Sequence, residues 1–179
     1  KTAPGELDSE CMFLRSRTMQ DKEILINDIS GQEFEPKEGK ALFEEYYTYT
    51  DGIVFAFDPI ALTRQRKGAT PMDVFESFHF MYSQITGTSP NRASEVPLAI
   101  VATKNDIVSP RMEDKDVRRY LMENGQDGFV RVAESLFKNI RYFAVSSYGD
   151  DCMSAARPFW WIVSETDKEL ADAVPIEMR

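Results

Sequence analysis

Glu23-Ile24-Leu25-Ile26-Asn27-Asp28-Ile29-Ser30-Gly31-Gln32-Glu33 is the stretch that decides the fold. Ile24, Leu25, Ile26 and Ile29 are apolar and β-prone, so the first half reads as a buried strand that delivers Asp28 to its end. In open α/β sheets ligands bind beyond the carboxyl ends of the strands, which makes Asp28 a site residue. Gly31 permits a turn forbidden to other residues and lets a main-chain amide approach a ligand closely. Gln32 carries both a donor and an acceptor and is able to orient a water molecule. Taken alone, the same residues also describe a strand followed by an Asx-type turn.

Working outward, residues 1 to 9 read as a lead-in loop with Pro4 and Gly5. Cys11 to Arg17 reads as a strand with Met12 and Leu14 on one face, joined to the next through a hairpin over Thr18 to Lys22. Glu33 to Lys40 is a polar surface loop, and Ala41 to Thr48 has helical spacing of Leu42, Phe43, Tyr46 and Tyr47. Ile53 to Asp58 is an apolar run between Gly52 and Pro59, the pattern of a strand buried on both faces, with Asp58 as a loop or capping residue. Thr63 to Thr70 is a basic linker, and Thr70-Pro71 opens a helix to about Ile85 that buries Val74, Phe75, Phe78, Met81 and Tyr82.

After a loop over Gly87 to Glu95, Val96 to Ala102 reads as a second buried strand with Pro97 at its start. Glu113 to Asn124 is a helix stopped by Gly125, and Val130 to Phe137 a short one with Val132, Leu136 and Phe137 inward. Ile140 to Val145 is the last strand. Pro158 opens a closing helix to about Ala173, with Phe159, Trp160, Ile162, Val163 and Leu170 inward and Trp161 partly exposed. Strands alternating with helices predict a three-layer α/β domain, its sheet mostly parallel with an antiparallel edge strand.

Three motifs fall in order along this frame. Asp28-Ile29-Ser30-Gly31-Gln32 resembles the Asp-x-x-Gly-Gln motif of Ras-like P-loop GTPases. Thr103-Lys104-Asn105-Asp106, directly after an apolar strand, resembles their base-recognition motif of Asn or Thr, Lys, any residue, Asp. Ser146-Ser147-Tyr148 keeps the first serine of their Ser-Ala-Lys-like loop but neither the alanine nor the lysine. The resemblance implies roles. Asp106 would accept guanine N1–H and N2–H, which adenine does not offer together, while the stem of Lys104 covers the purine or ribose face. Thr103 and the Ser146-Ser147 backbone would assist. Asp28 would hold Mg2+ through water, Gly31 would sense the γ-phosphate and Gln32 would place the attacking water. A protein effector or regulator would meet the switch-like loop Gly31 to Lys40.

Without the resemblance, Asp106 is a strand-end carboxylate that caps the next helix, and Ser146-Ser147 is a plain turn. The phosphate loop is the missing part. No Gly-x-x-x-x-Gly-Lys-Ser/Thr occurs, and Gly39-Lys40 lacks both the upstream glycine and the hydroxyl. Residues 1 to 179 thus correspond to a GTPase-like domain from its second strand to its C-terminal helix, with the first strand and phosphate loop outside. That first strand lies between the strands represented by Glu23–Asp28 and Ile53–Asp58. The expectation is the C-terminal part of a longer protein, as in the bacterial double-GTPase type, or a chain in which nucleotide binding is lost. Two readings therefore stand beside a GTP-hydrolysing switch: a nucleotide-free pseudo-GTPase used as a scaffold, and a Rossmann- or flavodoxin-like binding module. The lack of a glycine-rich fingerprint counts against the last.

Composition narrows the partners. A net charge of -9, with 42% hydrophobic and 28% charged residues, fits a globular domain and disfavours nucleic acid or an anionic membrane surface. Backbone amides and a metal ion still allow an acidic protein to hold phosphates. Cys11 and Cys152 have no metal-ligand spacing and read as free thiols. His79 is the single histidine and reads as structural, and Gly149-Asp150-Asp151 has too few oxygens for calcium. No signal peptide and no apolar run of ~20 residues is present, so a cytoplasmic setting is expected.

Overall fold

The computed structural model describes residues 7–14, 22–29, 47–63 and 70–173, and the chain divides into two units, residues 1–39 and 40–179. The first unit contains a two-stranded antiparallel sheet of β1 (Leu7–Leu14) and β2 (Lys22–Ile29). Cys11 lies opposite Leu25 and Asp8 opposite Asp28 in its register. The antiparallel pairing expected from sequence is present, although β1 begins four residues earlier than its apolar pattern suggests, and the expected connection before Lys22 lies outside the described residues. Leu25 is 58% exposed, so β2 is not the buried strand its composition describes. Cys11 and Cys152 are both free and exposed, as expected.

The second unit is built on a parallel sheet, β3 (Ile53–Phe57), β4 (Leu98–Ala102) and β5 (Ile140–Ala144), in the order β3-β4-β5. β4 is central, and all five of its residues are buried. A strand enclosed by neighbours and covered on both faces has to be apolar throughout, which is what Leu-Ala-Ile-Val-Ala supplies. One face is covered by α2 (Pro71–Thr86), α3 (Asp114–Glu123) and α4 (Asp127–Leu136). There Phe55, Phe75 and Phe129 meet with ring centroids 4.9 to 5.4 Å apart. Such aromatic pairs contribute about 0.5–1.5 kcal/mol each beyond the area they bury. The opposite face receives α5 (Arg157–Thr166), whose Trp161 is buried against Ala99, Val101, Phe143 and Val145. A short helix, α1 (Pro59–Thr63), follows β3, and α6 (Lys168–Ala173) follows α5.

The caps explain where these helices start and stop. The Thr70 hydroxyl accepts from the Asp73 amide and the Asp73 carboxylate accepts from the Thr70 amide, and Gly87 closes α2 in the left-handed region at φ 70°. Phe75, Phe78 and Tyr82 are its buried stripe; Val74 and Met81 are only half-buried. Asp58 caps α1, accepting from the Ile60 and Ala61 amides at 2.9 and 3.3 Å. That short helix covers residues to which the sequence pattern assigns no element. The closing helix is not continuous to Ala173. It breaks at Asp167, whose carboxylate accepts from the Glu169 and Leu170 amides and starts α6.

The expected orientation of Trp161 is reversed: it is 4% exposed, while Phe159 and Trp160 are half-buried. Trp161 takes the inward place because Ala99 leaves room beneath it. β3 is an edge strand among the described residues. Ile53, Phe55 and Phe57 direct their peptide groups to β4, so those of Val54 and Ala56 point outward. Val54 is 51% exposed on the α5 face. Among the described residues no helix is long and apolar enough to cross a membrane.

Candidate functional site

All three parallel strands end on the same side, and the loops that follow β4 and β5 are hydrogen-bonded to each other. Thr103 leaves β4 with both its amide and its hydroxyl donating to the Phe57 carbonyl at 3.0 Å. Lys104 then adopts φ 59°, the left-handed region, which turns the chain so that the Asn105 amide reaches the Val145 carbonyl at 3.0 Å. Asn105 is 5% exposed, and its side chain bonds both the amide and the carbonyl of Met112 at 2.9 Å. This buried amide fixes the loop that presents the next residue, Asp106.

Asp106 is half-buried, and its Oδ1 lies 2.8 Å from the Ser146 hydroxyl. Its Oδ2 has no hydrogen-bond partner among the described residues. The same Ser146 Oγ lies 2.7 Å from the Tyr148 carbonyl and accepts from the Tyr148 amide at 3.1 Å. A hydroxyl has one proton, so Ser146 donates to Asp106 or to Tyr148 but not to both at once. The Ser146 amide is consumed by the Ser154 hydroxyl at 2.9 Å. The Ser147 amide has no partner among the described residues.

Lys104 directs its ammonium to Asp58 Oδ2 at 2.7 Å, and the two side chains are 56% and 27% exposed. Burial pushes the Asp58 carboxyl up, but the Lys104 hydrogen bond and charge and the Ile60 and Ala61 amides outweigh it and hold the carboxyl below its usual range. The pair ties the β4 loop to the end of β3. Thr103, Lys104 and Ser147 line a cavity of about 330 Å3 with Val101, Val145 and Phe159. Asp106 stands outside that lining. A second tie steadies the β5 end: Arg157 contacts Asp114 at 2.7 and 3.1 Å and the Ala144 carbonyl at 2.9 Å, and Asp114 accepts from the Ala144 amide at 2.9 Å.

Of the residues singled out from sequence, Thr103, Lys104, Asp106, Ser146 and Ser147 are brought together at one end of the sheet. Asp28 is exposed near the end of β2, in the other unit. Gly31, Gln32 and the loop to Lys40 lie outside the described residues. Among the described residues no group of three His, Cys, Asp or Glu side chains is placed to hold a metal ion. Asn105 and Ser154 were not signalled in the sequence as loop braces: one occupies the free position of its motif, and the other sits in the 3-10 turns of Gly149–Ala156, which are kinked at Asp151. His79 is not satisfied as expected: its buried Nε2 has no hydrogen-bond partner among the described residues. No family model matches the chain, and no curated protein matches it.

Proposed function

We propose that this chain is a guanine-nucleotide-binding domain that hydrolyses GTP as a molecular switch. The observation that carries the reading is the 2.8 Å bond between Asp106 and Ser146. It joins, at the carboxyl ends of neighbouring parallel strands, the two loops that the GTPase resemblance assigns to guanine. Ser146 orients the carboxylate through Oδ1, leaving Oδ2 and the outer lone pairs for N1–H and N2–H of the base. The Ser147 amide donates to O6. Adenine turns an acceptor toward the same carboxylate, and a buried polar group left unpaired costs about 1–3 kcal/mol. Discrimination of GTP over ATP by about 5- to 150-fold follows. The Lys104 stem covers the purine or ribose while Asp58 holds its ammonium.

Mg2+ is bound through one or two carboxylates, with waters and phosphate oxygens completing its shell. Asp28 would hold it through water, and when bound the ion neutralises charge on the phosphates. Gly31 and Gln32 keep the phosphate-sensing and water-placing roles of the resemblance, and the segment to Lys40 that of contacting a protein partner.

Calorimetric titration of the full-length protein with GTP and with ATP, with and without Mg2+, tests the proposal. Micromolar GTP binding, weaker ATP binding and loss of GTP binding in Asp106→Ala are expected. Gln32→Ala should then slow hydrolysis more than it weakens binding. A folded protein that binds neither nucleotide would sink the proposal in favour of a scaffold.

A further inference from the structure

Asp106 is held from both sides by main-chain bonds that leave its own side chain out. The amide before it, that of Asn105, donates to the Val145 carbonyl at 3.0 Å, and the amide after it, that of Ile107, donates to the Lys104 carbonyl at 3.1 Å. The segment from Asn105 to Met112 is then closed into a loop by one side chain. Asn105 Oδ1 accepts from the Met112 amide and Asn105 Nδ2 donates to the Met112 carbonyl, both at 2.9 Å. A side-chain amide carries an acceptor and a donor together, the complement of one residue's N–H and C=O. A carboxylate has no donor for the carbonyl, and an apolar side chain has neither. In the motif this position takes any residue; here its side chain is buried and committed at both ends.

Ser146 gives the carboxylate a looser hold. Its single proton serves either Asp106 Oδ1 or the Tyr148 carbonyl, 2.8 and 2.7 Å away, whereas the Asn105 clasp has no such rival. Accepting two N–H groups side by side requires the carboxylate to keep one orientation, because hydrogen bonds weaken steeply as their angles close. We infer that Asn105 is a positioning residue that sets discrimination among purines: by closing the loop it keeps Asp106 aimed to accept two N–H groups at once, favouring a purine edge that carries a 2-amino group over one that lacks it. The inference rests on the guanine-nucleotide reading of the same site.

Calorimetric titration of full-length wild type, Asn105→Ala, Asn105→Asp and Asp106→Ala with GTP and with ITP, whose base lacks the 2-amino group, tests it. A hydrogen bond to a charged acceptor corresponds to about 10- to 150-fold in affinity, so wild type should prefer GTP by that factor and Asp106→Ala should lose the preference. Asn105→Ala should narrow the GTP/ITP ratio by at least about 3-fold as the carboxylate falls out of line. Asn105→Asp keeps the acceptor for the Met112 amide and loses the donor, and its ratio should lie between. A brace that only stabilises the fold weakens GTP and ITP alike, so an Asn105→Ala ratio equal to that of wild type would overturn the inference while the nucleotide reading stands. Should Asn105→Ala not fold, the Asn105→Asp ratio decides in the same way. Absence of Asp106-dependent GTP binding in wild type would sink the nucleotide reading and this inference with it.

Discussion

Gly52 sits one residue before β3, under α5, and a methyl group there has nowhere to go. A Cβ built on Gly52 would lie 2.1 Å from Ile162 Cγ2, 3.4 Å from its Cβ and 3.5 Å from its Cδ1. Carbon atoms in contact settle at about 3.5–4.0 Å, so the first distance is short by about 1.4 Å or more while the others are near normal. Gly52→Ala therefore forces Ile162 out of place, or α5 away from the sheet, and such overpacking costs about 1–3 kcal/mol. At a urea slope near 2 kcal/mol/M this lowers the midpoint by about 0.5–1.5 M. The discriminating measurement is a double-mutant cycle. Ile162→Ala removes Cγ2 and leaves its Cβ 3.4 Å away, so Gly52→Ala should be close to neutral in that background. A Gly52→Ala protein as stable as wild type, or an equal loss with and without Ile162, would refute the close approach of α5 to β3.

Two further outcomes follow from the same unit. Asp114→Ala removes the acceptor of the Ala144 amide and of Arg157, and urea denaturation should register about 1–3 kcal/mol lost, with Asp114→Asn recovering part through the amide bond. Burial holds the His79 imidazole below its ordinary pKa. The unfolded chain takes up that proton near pH 6.5 and the folded chain only at lower pH, so this contribution is complete above about 6.5 and is lost as pH falls below it. Urea midpoints from pH 8 to 5 should fall more steeply for wild type than for His79→Phe, and parallel curves would remove His79 from the account.

What the sequence makes legible follows from how much of each decision is local. Leu98 to Ala102 is apolar at every position, which leaves only a central strand. Thr70, Pro71 and Gly87 bracket α2 because capping and left-handed backbone are chemistries of single residues. In Phe159-Trp160-Trp161-Ile162-Val163 every position is apolar, so periodicity does not select the inward face, and the small Ala99 across the sheet does. Pro59–Thr63 is too short for any period, and only the carboxylate of Asp58 marks it. The same division runs through the candidate site. Thr103 to Asp106 and Ser146 stand out as strand-end polar residues, whereas the choice of Asp58 for Lys104, of Met112 for Asn105 and of Ser154 for Ser146 depends on partners 46, 7 and 8 residues away.

The left-handed backbone at Lys104 has a consequence of its own. A side chain there opposes the conformation by roughly 1 kcal/mol relative to glycine, the one residue that enters this region freely. Glycine at this position would make a calmer corner and would erase the ammonium that reaches Asp58. Geometry and electrostatics thus compete for a single residue, and lysine stands where the charge, rather than the bend, has prevailed.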